Sequence, residues 1–447
     1  MTLPQAGADS ESVWPLGFST NSGLRSDCDW QSRDVGWAVF PVGILVNTSI
    51  LAGTLVLDLS RVLAGPWATQ ILADLGATVI KIEHPNGGDD TRGFGPPFLP
   101  MDDDELSAYF ISANRGKHSI CIDIGQPEGV ALVTRIAERA DVLVENFKYG
   151  DLTRKGLGYE AMAEVNPALI YCSITGFGQT GPYRARPGYD MIVQAMAGLM
   201  SITGEPDSNH GQPQKVGVAV ADVMTGLYST IAILAALKER ESSGEGQHID
   251  MALMDVVTAA LANQASNYLV TGEVPQRMGN EHPNIVPYQV FEVADGHMIV
   301  AVANDSQFKK LAARIGKPEW QTDPRFQSNA VRVKNRQELI PMIAEIMMQR
   351  SLDDWLGIFD GSGIPVSPIN TIDRVFADPQ ITSRQMQQRV DRVPMVANPI
   401  RFSRSTLTSG LRPPMLGEHD ERLIDLLGLS VAELQELKNK QIVGKKS

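Results

Sequence analysis

The pattern of apolar and polar residues becomes regular from residue 54 and predicts alternating strands and helices. The segments "TLVLDLS", "AGPWATQILADLG" and "ATVIKIE" are typical of a buried strand, a helix and a second buried strand. A helix between two strands is a βαβ unit, whose strands run parallel. The alternation continues in "EGVALVTRIAERA", "DVLVENF", "YEAMAEVNP" and "LIYCSITGFG". This repetition predicts an α/β fold with a doubly wound parallel sheet.

Ligands of such sheets bind beyond the carboxyl ends of the strands, so the residues after each strand are the first candidates for a site. They are Arg61 to Gly65, Glu83 and His84, Asn146 to Lys148, and Thr175 to Pro182. Three basic side chains, Lys148, Arg154 and Lys155, follow one strand closely. Their position at a strand end predicts a binding site for an anionic ligand.

The chain divides by pattern into three regions. Residues 1–49 show no hydrophobic period, and we expect an unstructured extension there. Residues 50–279 and 371–447 are expected to form a large domain. Residues 280–370 are expected to form a small domain, because "PYQVFEVADGHMIVAVA" predicts a β-hairpin and helices follow around 305–315 and 335–350. Near the C-terminus, Ser430 and Glu433 predict a capping box.

Composition narrows the classes of partner. The formal net charge of −13 over 447 residues disfavours nucleic acid and anionic membrane surfaces. The uncharged run from Val35 to Leu57 is interrupted by Pro41 and gives no membrane span. The three cysteines are too few and too scattered for a disulfide framework, so we expect a reducing, cytoplasmic setting. Cys172 is interpreted as a small core residue in preference to a nucleophile.

Several common catalytic motifs are missing from the sequence. It contains no GxxxxGK[ST], GxSxG or HExxH motif, and the first strand-to-helix turn has only Gly65 where a dinucleotide site needs GxGxxG. NAD is therefore a minor hypothesis. The "GGDDTR" segment is either a phosphate loop acting through Arg92 or a solvated turn. The "NRGK" segment from Asn114 to Lys117 is either a basic cluster or, again, a solvated turn.

Asp222 is the one carboxylate in the interior of an otherwise small and apolar stretch, "KVGVAVADVMTGLYSTIAILAALKER". The spacing of the apolar residues after it predicts a helix that begins at this aspartate. Local pattern favours a helix N-cap, for which Asp is a preferred residue. The alternative is a catalytic nucleophile, because a desolvated but ionised carboxylate is suited to acyl attack.

The chain resembles the family III CoA-transferases over nearly all of residues 52–447. The resemblance rests on several segments together: "LDLSRVLAGPWATQILADLGATVIKIE", "GGDDTR", "SANRGKHSICID", "ADVLVENF", "NPALIYCSITGFGQTGPY", "GYDMIVQAMAGLM", "GVAVADVMTGLYSTIAILAAL" and "LGEH". It implies a Rossmann-like large domain built from both chain ends, a smaller α+β domain, and an interlocked homodimer. It also implies an aspartyl anhydride and an aspartyl-CoA thioester at Asp222, with Asp190 as a neighbouring cleft residue.

The resemblance implies coenzyme A as a substrate and no tightly bound cofactor or metal. The positions that match the family's CoA contacts are Val62, Leu63, Ala64, His84, Ile122, Asn146, Phe147, Lys148, Arg154 and Tyr189. The chain departs from the family in two places. His84 stands where an arginine is often found, and Pro187 stands where the formyl-CoA enzyme has a lysine. The contact of that lysine is lost at Pro187, and the charge of His84, unlike that of an arginine, depends on pH near neutrality.

Substrate preferences follow from the same resemblance. A racemase of this family has a histidine in its proton-transfer pair, whereas this chain has Tyr189, and a phenol with an ordinary pKa of about 10 is a poor base. Transfer of CoA between a donor such as succinyl-CoA and a small dicarboxylate is therefore favoured, as in the glutarate and hydroxymethylglutarate branch. Arg61 and the 278–288 loop are candidates to hold the second carboxylate. The alternatives are an acyl-CoA racemase and a non-catalytic CoA- or nucleotide-binding protein.

Overall fold

A computed structural model describes residues 49–102, 104–408 and 410–446 of the chain. Its strands, in chain order, are β1 (Leu55–Asp58), β2 (Thr78–Glu83), β3 (Phe98–Pro100), β4 (Glu105–Ser107), β5 (Lys117–Cys121), β6 (Val142–Glu145), β7 (Ile170–Thr175), β8 (Gln247–Ala252), β9 (Tyr288–Val293), β10 (Gly296–Ala301), β11 (Val366–Pro368), β12 (Gln387–Val390) and β13 (Val393–Val396). The predicted extension, residues 1–49, lies outside the described residues except for Ser49.

Helices connect most of these strands. In chain order they are α1 (Ala64–Asp74), α2 (Ala108–Ala113), α3 (Pro127–Ala137), α4 (Asp151–Arg154), α5 (Tyr159–Val165), α6 (Asp190–Met196), α7 (Leu199–Ile202), α8 (Val220–Ser243), α9 (Leu253–Ala260), α10 (Ala262–Thr271), α11 (Asp305–Arg314), α12 (Asn329–Lys334), α13 (Arg336–Met347), α14 (Leu352–Phe359), α15 (Ile372–Ala377), α16 (Pro379–Ser383), α17 (Arg422–Leu427) and α18 (Val431–Asn439). The predicted capping box is present at the start of α18.

The main sheet has six parallel strands in the order β5-β2-β1-β6-β7-β8. The chain builds outward from β1 to β2 and β5, and then crosses to β6, β7 and β8 on the other side. This is the doubly wound order, in which the direction of winding reverses between β1 and β6. The prediction of an α/β fold with a parallel sheet is confirmed. The reversal point also fixes where a ligand cleft is expected, at the carboxyl ends of β1 and β6.

Successive residues of the strands face opposite sides of the sheet and enter two separate cores. On one side, Leu57 and Leu143 pack with α3 and with the C-terminal residues Leu423 and Leu434. On the other side, Val56, Val144 and Cys172 pack with α1, α8 and α9. The C-terminal helices therefore complete the first core, and the Rossmann-like body is built from both ends of the described chain.

A second sheet lies within residues 280–370, where a small domain was predicted. Strands β9, β10 and β11 form an antiparallel sheet in the order β11-β10-β9, and the hairpin turns at Ala294 and Asp295 as predicted. Its core contains Phe308, Trp320, Leu339 and Trp355, which come from the helices that follow the hairpin. The sheet and its helices form the predicted smaller α+β unit, while the exact boundaries at 280 and 370 stay a prediction.

Candidate active site

A cavity of about 440 Å³ lies at the reversal point of the sheet. It is bordered by the last residues of β2 and by residues that follow β1, β2, β5 and β6: Leu59, Arg61, Lys81, Ile82, Glu83, His84, Asn86, Gly88, Asp89, Asp90, Ile122, Ile124, Phe147, Lys148, Asp151 and Lys155. Apolar walls and several cationic side chains are suited to a long anionic ligand.

The structure brings four of the predicted CoA residues together in this cavity: His84, Ile122, Phe147 and Lys148. The His84 ring accepts a hydrogen bond from the Asn86 backbone N–H at 3.0 Å, and its Nε2 lies 3.8 Å from the Asp123 carboxylate. Two of the predicted residues, Arg154 and Tyr189, do not border the cavity itself. Arg154 is 69% exposed and pairs with Asp151 on its own helix, and Tyr189 is 69% exposed just before α6.

The remaining predicted CoA residues form or hold the turn between β1 and α1. Leu63 and Ala64 are buried where α1 begins, and Val62 has a backbone φ of 69°. Asn146, which follows β6, accepts from the Arg61 N–H at 2.8 Å and donates to the Arg61 carbonyl at 2.6 Å. These two hydrogen bonds from Asn146 fix the conformation of the turn, whose backbone borders the cleft.

Two sequence interpretations are wrong. Arg92 neither occupies a solvated turn nor extends toward a phosphate, because its Nε and Nη2 donate to the two carboxylate oxygens of Glu83 at 2.8 and 2.7 Å. The "NRGK" segment is not a solvated turn either. Arg115 is buried against Asp74, and Lys117 is fully buried beside Asp58. The partners of these cations are distant in sequence, so local composition does not reveal them.

Beneath the turn lies a cluster of four fully buried charged groups, which the sequence analysis did not predict as a cluster. The Lys117 ammonium lies 3.1 Å from Asp58, and the Lys81 ammonium lies 2.9 Å from Asp89. The pKa of Asp58 is lowered to about 2, since the attraction of both ammonium groups outweighs its burial, and burial lowers the pKa of Lys117 to about 8. The sequence signal was the "GGDDTR" motif, which supplies Asp89.

Asp222 occupies the third position of α8, so the interpretation of this residue as the helix N-cap is wrong. The N-cap is Ala219, which makes no side-chain capping bond. Instead, Asp190 from α6 accepts a hydrogen bond from the Ala221 N–H at 2.8 Å. Gln194 supports this arrangement, because its amide donates to Asp190 at 2.7 Å and accepts from the Val216 N–H at 3.0 Å.

The Asp222 carboxylate is partly buried and has no hydrogen-bond partner within residues 49–102, 104–408 and 410–446. Burial, with a further contribution from the Asp190 carboxylate, raises the pKa of Asp222 to about 7. A carboxylate of this pKa is ionised in a substantial fraction of molecules at neutral pH. It is more basic than an ordinary aspartate, which favours attack on an acyl carbon.

Tyr109, at the start of α2, feels the charge of Asp222, and the sequence analysis did not single it out. Burial raises the pKa of its phenol, and the carboxylates of Asp222, Asp190 and Asp89 raise it further. The phenol therefore stays protonated at neutral pH, within electrostatic reach of Asp222. No local motif marked it. Cys172, by contrast, is buried in the core beneath the sheet, and burial raises its pKa to about 12, which does not suit a nucleophile.

The chain belongs to the CoA-transferase family III, whose family model matches residues 51–420. It is 50% identical to a succinate–glutarate CoA-transferase from Agrobacterium fabrum, over 84% of this chain and 94% of that protein. It is 40% identical to a human succinyl-CoA:glutarate CoA-transferase, over 90% and 92% of the two chains. A crystal structure of a CAIB/BAIF family protein from Brucella suis matches with a TM-score of 0.76 and 50% identity, over 86% and 99%. The protein is therefore an enzyme, a family III CoA-transferase.

Helix α8 has 24 residues and a mean hydropathy of 1.7 in its most apolar window, so length and composition alone would allow it to cross a membrane. The core helices of globular proteins meet the same criterion. One face of α8 packs on the rest of the protein: Ala221 and Ile233 enter the core beneath the sheet, and a Cβ at Gly226 would lie 2.7 Å from the Ala64 carbonyl of α1.

Proposed function

We propose that this enzyme transfers CoA from succinyl-CoA to glutarate or a similar small dicarboxylate, with Asp222 as the covalent nucleophile. The observation that carries the proposal is the state of Asp222. Asp190, and not Asp222, accepts the hydrogen bond that caps α8, so the Asp222 carboxylate is not used as a cap. Burial of this carboxylate raises its pKa. The named substrates of the 50% and 40% identical relatives support the choice of donor and acceptor.

The chemistry needs only the carboxylate and the two substrates. A carboxylate oxygen of Asp222 attacks the thioester carbon of succinyl-CoA, the C–S bond breaks, and CoA leaves as a thiolate. The thiolate then attacks the aspartyl carbonyl of the anhydride, which releases succinate and leaves an aspartyl-CoA thioester. The acceptor carboxylate attacks this thioester, and the thiolate released attacks the acceptor's carbonyl. Glutaryl-CoA leaves and the Asp222 carboxylate is restored.

The other residues are assigned by position. We infer that His84, Ile122, Phe147 and Lys148 bind CoA in the cavity that they border. Val62, Leu63, Ala64 and Asn146 supply or hold the backbone at its edge, and Arg154 and Tyr189 contact CoA from the rim. The protonated phenol of Tyr109 is suited to donate a hydrogen bond to the oxygen that becomes negative during attack.

We also infer that the enzyme works as a homodimer in the cytoplasm. Large apolar side chains are exposed on α6, α8 and α10, among them Met191 at 55%, Ile231 at 62% and Leu269 at 79%. A mostly apolar groove of about 830 Å³ also runs between α1, α8 and residues 394–400. Apolar surface of this extent is typical of a protein–protein interface. Sedimentation of the purified enzyme tests this: a monomer at micromolar concentration contradicts it.

A screen of free acids tests the substrate assignment. The enzyme is incubated with succinyl-CoA and one acid at a time, and new CoA esters are identified by mass. We expect glutarate and related dicarboxylates to have higher kcat/KM than acetate or carnitine. A preference for a monocarboxylate contradicts the assignment. An enzyme that exchanges the α-proton of an acyl-CoA without any acid favours the racemase alternative.

A further inference from the structure

Side chains form hydrogen bonds with every backbone N–H and carbonyl of the turn Ser60–Arg61–Val62 except the Val62 carbonyl. The Ser60 N–H donates to Asp58 at 2.9 Å, and its carbonyl accepts from the Lys81 ammonium at 2.8 Å. Asn146 holds both backbone groups of Arg61. The Val62 N–H donates to Asp89 Oδ1 at 3.2 Å. The holding groups come from β1, from β2 and the loop after it, and from the residue after β6, so the turn is fixed from several sides.

The conformation that they hold is unfavourable for the residue present. Val62 has a φ of 69°, in the left-handed region, which a β-branched residue rarely adopts. The turn is also tight, since a Cβ at Gly65 would lie 2.3 Å from the Ser60 Cβ. Strained backbone of this kind persists only when its surroundings over-determine it, and it is concentrated at functional sites.

Two of the groups that hold the turn, Lys81 and Asp89, form an ion pair with each other. Both are fully buried, with 2.9 Å between the ammonium and Asp89 Oδ2. Asp89 is itself oriented by Thr91, whose N–H and hydroxyl both donate to Oδ1 at 3.0 and 2.8 Å, and by its own N–H, which donates to Glu83 at 2.9 Å. The pair thus presents one fixed acceptor to Val62 and one fixed donor to Ser60.

We propose that Lys81 and Asp89 are positioning residues: they keep Val62 in its left-handed conformation, and so keep the β1–α1 turn shaped for acyl-CoA. They act through the turn and do not touch the reacting atoms. The proposal rests on the CoA-binding role assigned to this turn under the proposed function. It explains why an aspartate and a lysine are buried as a pair at the floor of the cavity.

A double-mutant cycle tests the proposal. An asparagine at position 89 has only one oxygen and cannot accept from both Lys81 and Val62, so Asp89→Asn weakens the hold on Val62, and we expect KM for succinyl-CoA to rise about tenfold with a much smaller change in kcat. Glycine adopts the left-handed region without strain. Val62→Gly added to Asp89→Asn should therefore lower the raised KM, and by a larger factor than any change that Val62→Gly makes in the wild-type background. An unchanged KM in Asp89→Asn, or an equal effect of Val62→Gly in both backgrounds, overturns the proposal.

Two further variants keep the test decisive. Should Asp89→Asn fail to fold because Lys81 is left unpaired, the double variant Lys81→Met/Asp89→Asn removes both charges together, and the same rise in KM and rescue by Val62→Gly are expected. Asp74→Asn is the matched control. It breaks the buried pair with Arg115 away from the turn, so it should lower the melting temperature without a KM effect that Val62→Gly rescues.

Calorimetric titration with CoA separates this proposal from the proposed function, because it needs no turnover. A wild-type protein that neither binds CoA nor transfers it contradicts the function. If the wild-type protein binds and transfers CoA, but the mutant cycle shows no coupling between positions 62 and 89, only the positioning role is contradicted.

Discussion

The carboxylate of Asp190 on α6 accepts a 2.8 Å hydrogen bond from the backbone N–H of Ala221 in the first turn of α8. This contact spans 31 residues of sequence and decides the role of the aspartate that follows Ala221. Because Asp190 already caps the helix, Asp222 carries no structural hydrogen bond in the described part of the chain and is available for chemistry.

Replacing Asp190 by asparagine should shift the pH profile of the enzyme. The amide oxygen still accepts from Ala221, so the helix stays capped, but the negative charge that adds to the pKa of Asp222 is lost. The pKa of Asp222 then falls from about 7, and the acidic limb of log kcat/KM against pH moves to lower pH. Burial is the larger cause and remains, so the shift should be partial. An unchanged limb contradicts the electrostatic coupling.

Asp222→Asn should stabilise the fold in a pH-dependent way. The pKa of Asp222 is near 4 in the unfolded chain and about 7 in the folded protein, so between these pH values only the folded protein holds the proton. The stability of the wild-type protein therefore falls as pH rises through this range. The variant has no carboxylate to ionise at this position, so its stability does not fall in this way. Because the wild-type carboxylate is only partly buried, the variant should be more stable by about 1–3 kcal/mol at pH 8 and nearly equal in stability at pH 4. Urea unfolding at both pH values measures this, and a variant less stable than wild type at pH 8 contradicts it.

Asp58→Ala should lower the free energy of unfolding by about 3–5 kcal/mol, because it leaves Lys117 buried beside an empty site. Glu241→Ala, which breaks an exposed pair with Lys238, is the control and should barely move the urea midpoint. Equal effects of the two substitutions would show that burial of the Lys117 pair does not matter to stability.

Arg61→Met should raise KM for glutarate more than tenfold if the guanidinium clamps the distal carboxylate of the acceptor. The guanidinium is half-exposed, lies 5.3 Å from the Phe147 ring and pairs with Asp90 at 3.1 Å, so it is close to the cavity and only weakly held. KM for a monocarboxylate acceptor should not change. A uniform loss for both kinds of acid assigns Arg61 to CoA instead.

The other candidate to bind the distal carboxylate is the 278–288 loop. Arg336 of α13 and Asn329 of α12 donate hydrogen bonds to backbone carbonyls of this loop.

The sequence predicts what depends on local periodicity. The alternation of strands and helices, the hairpin at Ala294 and Asp295, and the capping box at Ser430 were all predicted, because each is specified by residues a few positions apart. The cleft at the reversal point follows from the same alternation, since winding on both sides of β1 puts the ends of β1 and β6 together.

The interpretations that failed depended on distant partners. Lys117 looks solvated beside Asn114 and Gly116, yet its partner Asp58 lies 59 residues away on another strand. Asp222 looks like a cap because its neighbours cannot show that Asp190 reaches Ala221. The left-handed backbone of Val62 is contrary to its residue type, and only its tertiary contacts account for it. Local propensity does not predict such sites, because tertiary hydrogen bonds and ion pairs override it there.

Trapping of the covalent intermediate tests the central claim, that Asp222 is the nucleophile. Wild-type enzyme is mixed with succinyl-CoA and hydroxylamine, and peptides are sequenced by mass, with Asp190→Asn and Asp222→Asn treated in parallel. We expect a hydroxamate at position 222 in wild type and in Asp190→Asn. We expect none in Asp222→Asn, which should be folded, should bind CoA and should lose several orders of magnitude in kcat. A hydroxamate at Asp190, an adduct at Cys172, or near-normal turnover in Asp222→Asn contradicts the role of Asp222 as nucleophile.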